Sequence, residues 1–181
     1  MKNLNTLTYD EAKPEAQKIF DALKKKVGKV PNLYATIANS PVALDAILNY
    51  GEKLKSGEFT PKEVEAIALS VSQENECHYC LSAHTAVGQM LGFTIEETIG
   101  LRSGNVEDSK LQALVRLAKD IAYSKGWPQQ QLIDDFLAAG YSKAALVELI
   151  GFVSLNVFNN YLNHIAETEV DFPAYPELEK V

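Results

Sequence analysis

Two cysteines, three histidines and two arginines are the whole stock of those residues in this chain of 181. So small a cysteine count is no framework for a disulfide-stapled fold. Positive charge is scarce too: 17 Lys and Arg stand against 24 Asp and Glu, for a formal charge of -7 and a pI near 5.0. Nucleic acid and anionic membrane surfaces would repel such a chain, so neither is an expected partner. The one basic run, Lys24-Lys25-Lys26, reads as the cationic last turn of a helix that stops at Gly28. No apolar run reaches the roughly 20 residues of a membrane span, and the first residues lack the charged-then-apolar layout of a signal peptide. A cytoplasmic protein is the expectation. Strand-like alternation is missing throughout, and the expected fold class is all-α. With 46% hydrophobic residues the chain is long enough for a substantial core, and residues 1–181 are read as a single domain.

What the chain does have is a succession of amphipathic helices punctuated by caps. Ala12, Ala16, Ile19, Phe20, Leu23 and Val27 recur at helical spacing over residues 9–27, with Pro14 in the first turns and Gly28 as the stop. A short helix is expected over 33–38. Ser40-Pro41 and Thr60-Pro61 both read as a hydroxyl cap followed by proline, opening helices to about Lys55 and through Val71. Asn75 is the expected cap of the next helix, which ends at Gly92. Thr94 caps a short helix, and residues 100–105 are read as a polar link. Helices follow from about Glu107, around Phe136, and from Ser142 onward through Val157. Pro173 and Pro176 make the end of the chain, about 168–181, an expected extended arm.

A weak internal repeat runs through this pattern. Residues 57–72 and 140–155 each read as glycine, an aromatic, a hydroxyl cap and then Val-Glu within an apolar helix. That register sets Glu148 against Glu65, and Asn160 and Asn163 against Cys77 and Cys80. Duplication and the chance likeness of two capped helices both fit.

Reactive side chains come together at one place, Cys77-His78-Tyr79-Cys80 followed by His84. On a helix, Cys77, Cys80 and His84 lie within about 60° of one another at roughly 100° per residue, and His78 points elsewhere. Two thiols three residues apart can close a disulfide with little backbone movement. A position in the first helical turn favours the thiolate through unpaired N–H groups and the helix dipole. His84, one turn beyond Cys80, is placed to hold a proton. Glu65, on the preceding helix, either orients that imidazole or is an exposed helix carboxylate. Tyr79 either donates to a bound oxygen or packs as an aromatic. The pair itself fits a redox couple, a zinc site lacking a fourth ligand, or inert structural thiols. His164, with Asn160, Tyr161 and Asn163, fits a second polar pocket, a helix-packing contact or a subunit contact.

Glu65, Cys77, Tyr79, Cys80 and His84, in this spacing, resemble the signature of the alkyl hydroperoxide reductase D (AhpD-like) family within the carboxymuconolactone decarboxylase superfamily. The likeness covers a core of about 40–104. Asn160-Tyr161-Leu162-Asn163-His164 and Asp171-Phe172-Pro173 are similar to its longer, peroxidase-related branch. The resemblance implies a multi-helical protein, a homo-oligomer as trimer or hexamer, that reduces hydroperoxides through a dithiol-disulfide cycle. It implies that Cys80 attacks the peroxide, that Cys77 resolves the sulfenic acid, and that His84, with Glu65 acting through it and a water, draws the proton from Cys80. Tyr79 is the candidate substrate-binding residue, although the best-studied peroxidase branch has a histidine in its place. No cofactor and no resident metal are expected. The partners implied are the hydroperoxide and a dithiol reductant protein, lipoyl- or thioredoxin-like. Two other classes fit fewer of these residues: a lyase acting on a lactone acid, and a redox-sensing or disulfide-exchange module.

Overall fold

The computed structural model describes residues 4–178, and among them the chain forms nine helices and no strand. They are α1 (Pro14–Val27), α2 (Asn32–Ile37), α3 (Pro41–Leu54), α4 (Pro61–Glu74), α5 (His78–Met90), α6 (Ile95–Ser103), α7 (Ser109–Tyr123), α8 (Gln130–Ala138) and α9 (Lys143–Ala166). The starts follow from caps that satisfy otherwise orphaned N–H groups. Ser40, Thr60, Thr94, Asp108 and Ser142 each accept from a backbone N–H of the first turn, and Thr60 and Thr94 do so in full capping boxes with Glu63 and Glu97.

The helix boundaries depart from the sequence pattern in three places. The first helix opens at Pro14 instead of residue 9, because a turn over Thr8 to Ala12 precedes it. Residues 100–103 are helical: Leu101 and Arg102 are buried anchors of α6, and a Cβ on Gly100 would lie 2.7 Å from the Asn105 carbonyl oxygen. The glycine there permits a close approach within a helix instead of loosening a link. Asn75 closes α4 instead of opening α5, for a reason that belongs to the site below.

Helix α4 is the axis. Every residue from Val64 to Ser72 is buried, and α5, α6, α7 and α9 all pack on it. Ile67, Val71, Leu114, Leu117, Phe136, Leu149 and Phe152 make the largest core, where α4 meets α7, α8 and α9. Burying each such side chain stabilises the fold by about 1.5–3 kcal/mol. A second core gathers Phe20, Leu33, Ile37 and Leu44 around Cys77, Tyr79 and Cys80. Helix α9 is long and apolar enough by length and composition to cross a membrane. Leu149, Phe152 and Val153 nevertheless turn inward into the core.

The two repeat units meet: Phe59 and Tyr141 pack with ring centroids 5.8 Å apart, each just before its cap. Their glutamates do not correspond. Glu65 stands five residues after Thr60, whereas Glu148 stands six after Ser142 and accepts from the Glu58 backbone N–H at 2.8 Å. One residue of offset turns a helical side chain by about 100°.

From residue 168 the described chain is a non-helical strap laid back over the start of α5. Asp171 anchors it, accepting from the Tyr79 hydroxyl at 2.7 Å and pairing with Lys29 at 2.8 Å. Phe172 stands edge-on to the Tyr79 ring, Tyr175 hydrogen-bonds His78, and the Arg102 guanidinium donates to the Pro176 carbonyl at 2.6 Å. The last residues of the expected arm lie outside the described ones. Removing one hydroxyl at the centre of this anchorage strands two partners, Asp171 and the Leu33 N–H. Tyr79→Phe is expected to lower the unfolding free energy by about 1–3 kcal/mol in urea titration; an unchanged midpoint would mean the anchorage contributes nothing in solution.

Candidate active site

The turn between α4 and α5 sets the site. Ser72 accepts from the Cys77 N–H at 2.9 Å, and Glu76 takes a left-handed φ of 53°. That turn presents Cys77 itself as the N-cap of α5: its sulfur accepts from the Cys80 N–H at 3.3 Å. A thiol here replaces the usual hydroxyl or carboxylate, so the first turn's N–H groups and dipole act directly on sulfur.

Helix α9 closes the other side. Asn163 is buried, and its amide Nδ2 lies 3.3 Å from Cys80 Sγ and 3.8 Å from Cys77 Sγ. Its Oδ1 is buried without a partner. Asn160, fully buried, accepts from Asn75 at 2.8 Å and donates to Ser72 at 3.3 Å, which fastens the turn. The two asparagines thus serve the cysteine pair within the chain, not a subunit contact. His164, expected to pack or to line a second pocket, is exposed beside Tyr161.

Both cysteines are free thiols with 0% and 3% exposure. The Cys80 thiol donates to Cys77, and this lowers the Cys77 pKa against burial, with the Cys80 N–H and the Asn163 and Asn160 amides adding to the effect, to about 7. Cys80 is pushed upward because it holds the shared proton, because it is buried, and because the Cys77 charge repels a second one. The thiolate is therefore favoured at Cys77 over Cys80.

Glu65 reaches the site from the buried face of α4, and His84 from the second turn of α5. His84 Nδ1 and Glu65 Oε2 are 2.7 Å apart. A carboxylate only accepts, so Nδ1 carries the proton and Nε2 remains the basic nitrogen. No hydrogen bond joins His84 to either sulfur. The pair lines a pocket of about 100 Å³ shared with Tyr34 and Asn159.

Tyr79 does not fit the substrate-binding role read from sequence. Its hydroxyl accepts from the Leu33 N–H at 3.1 Å and donates to Asp171, and the residue is 4% exposed. Burial raises its pKa, with Asp171 adding to the rise. His78 points outward to Tyr175. Among the described residues no three His, Cys, Asp or Glu side chains form a metal-ligand group.

This constellation lies on a segment with a known signature. Residues 41–120 match the carboxymuconolactone decarboxylase family. Over that segment the chain resembles the family, and its all-helical fold is that of AhpD-core structures. An AhpD-core, peroxidase-related protein from Ralstonia eutropha JMP134 superposes with a TM-score of 0.82 at 16% identity, over 92% of this chain and 90% of that one. A peroxidase-related protein from Silicibacter sp. TM1040 gives 0.79 at 22% identity, over 93% and 92%. The debrominase Bmp8, as a variant in complex with 2,3,4-tribromopyrrole, gives 0.78 at 17% identity, over 94% and 92%. No curated protein matches the chain in sequence.

The family segment carries Glu65, Cys77, Cys80 and His84, whereas Tyr34, Asn159, Asn160, Asn163 and the strap lie outside it. Asn163 was open to sequence reasoning, since the repeat sets it against Cys80. Tyr34 gave no signal in its short apolar helix.

Because the folded pKa of Cys77 is depressed, the thiolate is present above about pH 7 and is lost as pH falls through that value. Ultraviolet thiolate absorbance of the reduced protein is expected to titrate with a midpoint near 7. Cys77→Ser should remove that transition, and Asn163→Ala should move it upward by withdrawing a donor from the charged form. A midpoint in the range of ordinary free thiols would overturn the N-cap assignment.

Proposed function

We propose that this protein is a thiol-dependent peroxidase that reduces hydroperoxides through a Cys77–Cys80 dithiol-disulfide cycle. The observation that carries the reading is a buried pair of free thiols at a helix N-terminus, with a hydrogen-bonded Glu65–His84 dyad on the same helix pair. Low-pKa thiolate chemistry beside a resolving thiol is what peroxide reduction requires.

Cys80 is the attacking thiol, as the resemblance implies, and His84 stands one helical turn beyond it. Its proton passes through a water to His84 Nε2, which Glu65 holds in the basic tautomer. The Cys80 thiolate attacks one peroxide oxygen, the O–O bond breaks, and sulfur becomes a sulfenic acid. The departing alkoxide takes the proton from His84 and leaves as the alcohol. Cys77, already a thiolate, attacks the sulfenic sulfur and closes the disulfide; the expelled hydroxide gains a solvent proton and leaves as water. A dithiol protein, lipoyl- or thioredoxin-like, then reopens the disulfide by exchange. Such a cycle suits the reducing cytoplasm.

The pocket gives less support to a lyase acting on a carboxylate-rich lactone. Lys55 is the one cation on its wall, while Arg102 is turned to Gln73 and Pro176, and Arg116 to the Gly104 carbonyl. The likeness to a debrominase favours a second reading. The same two electrons could remove bromine from a bromopyrrole as bromide, with a proton replacing it and the disulfide as oxidised product.

A self-associating subunit also follows from this reading. Val147, Ile150, Phe158, Tyr161 and Ile165 are exposed on one face of α9, within about 80° of each other, opposite the buried asparagines. A second copy of the chain covers that stripe. Ile150→Glu with Ile165→Glu is expected to reduce the sedimenting mass to that of one 19.9 kDa chain; retention of a larger species would reject the assignment.

The activity is tested by mixing reduced protein with equimolar tert-butyl hydroperoxide or bromopyrrole, and following substrate, free thiols and intact mass. Stoichiometric peroxide loss with a mass decrease of two protons is expected. Cys80→Ser should abolish it, and Cys77→Ser should stop at a trapped sulfenic acid. Peroxide that survives beside two free thiols rules the peroxidase out, and bromide release would put the dehalogenation reading in its place.

A further inference from the structure

The roles left open by Tyr79 are a hydroxyl for the substrate oxygen and a boundary on substrate size. Tyr34 on α2 meets the geometric conditions for the first. Its ring packs with the core around Cys77 and Cys80, and it also lines the pocket that holds Glu65 and His84. It is the aromatic that joins the sulfur side of the site to the dyad side. Its hydroxyl makes no hydrogen bond among the described residues, in contrast to the Tyr79 hydroxyl with its two partners. Burial, then the charges of Glu65, Glu52 and Cys80, raises its pKa, so the phenol stays protonated and remains a donor.

A second polar side chain lines the same pocket. Asn159 Oδ1 is buried without a partner on the pocket wall. A buried polar atom without a partner is costly, and a ligand that supplies the missing bond recovers that cost. One donor and one acceptor without partners match a hydroperoxide, which offers an accepting oxygen next to an O–H. The rest of the wall is mixed, with Ile47, Val64, Ala68 and Phe152 beside Glu52, Lys55 and Asn156. At about 100 Å³ the pocket holds about three waters' worth of space. That space matches a short, branched alkyl group.

We propose that Tyr34 is the residue that grips the substrate oxygen, with Asn159 accepting from the peroxide O–H, and that the substrate is a compact alkyl hydroperoxide. This rests on the peroxidase reading above. As the O–O bond breaks, negative charge gathers on the leaving oxygen, and the Tyr34 O–H stabilises it without giving up its proton. The bond therefore strengthens in the transition state, and its loss acts on kcat more than on KM.

The test is steady-state turnover of the full chain with hydrogen peroxide, tert-butyl hydroperoxide and a long-chain fatty acid hydroperoxide, driven by a small dithiol. Wild type is expected to favour tert-butyl hydroperoxide over both others. Tyr34→Phe keeps the ring and is expected to lower kcat/KM for that substrate about 10²-fold, mostly in kcat, with the thiolate titration and urea midpoint unchanged. Asn159→Ala is expected to raise KM several-fold. Active wild type with an unimpaired Tyr34→Phe overturns the role of Tyr34 alone. Equal turnover of the fatty acid hydroperoxide overturns the size limit. A wild type inert toward all three overturns the peroxidase reading and this inference with it.

Discussion

The hydrogen bond from the Cys80 N–H to Cys77 Sγ ties the local structure of this protein to its chemistry. A helix must begin on an acceptor, and here the acceptor is one of the two thiols. Helix start and thiolate are one feature. The left-handed Glu76 turns the chain sharply enough to end α4, expose the N–H groups of α5 and place Cys77 over them. Asn160 and Ser72 hold that turn from behind. A hydroxyl at the cap would serve the helix as well, but it would carry no charge near neutral pH.

Around that cap the chain builds a site from distant parts. Helix α4 brings Glu65 from the largest core, α2 brings Tyr34, and α9 brings Asn163 and Asn159. Glu65 and His84 line the pocket, while the strap lies over the start of α5. Each contributor is anchored by apolar burial on its own helix, so the polar groups meet with little freedom left to lose.

The fold was legible because caps and 3.6-residue periodicity are local. Ser40, Thr60, Thr94 and Ser142 each mark a helix start that the structure contains. The cap at Cys77 was not legible, because Asn75 is the better cap by residue type and only the φ of Glu76 disqualifies it. Of the candidate site, Cys77, Cys80, His84 and Glu65 could be read from spacing, and the structure brings Glu65 and His84 into contact. Tyr79 misleads, since nothing in a sequence shows that a hydroxyl is already taken by Asp171 and Leu33. Tyr34 was invisible for the converse reason: a phenol without partners becomes informative only when a pocket forms beside it. The repeat hinted at Asn163, while its register misplaced Glu148 by one residue.

The strap has a consequence for how the protein is made. Asp171 fastens the last part of the chain to Lys29, Asn32 and Tyr79, and Asn163 reaches the sulfurs from near the end of α9. On a ribosome these residues emerge long after Cys77 and Cys80. During synthesis the two thiols therefore lack both the amide and the cover found in the finished protein. The nascent chain carries an uncovered pair of cysteines, and their concealment arrives with its final few turns, together with the share of thiolate stabilisation that the Asn163 amide adds.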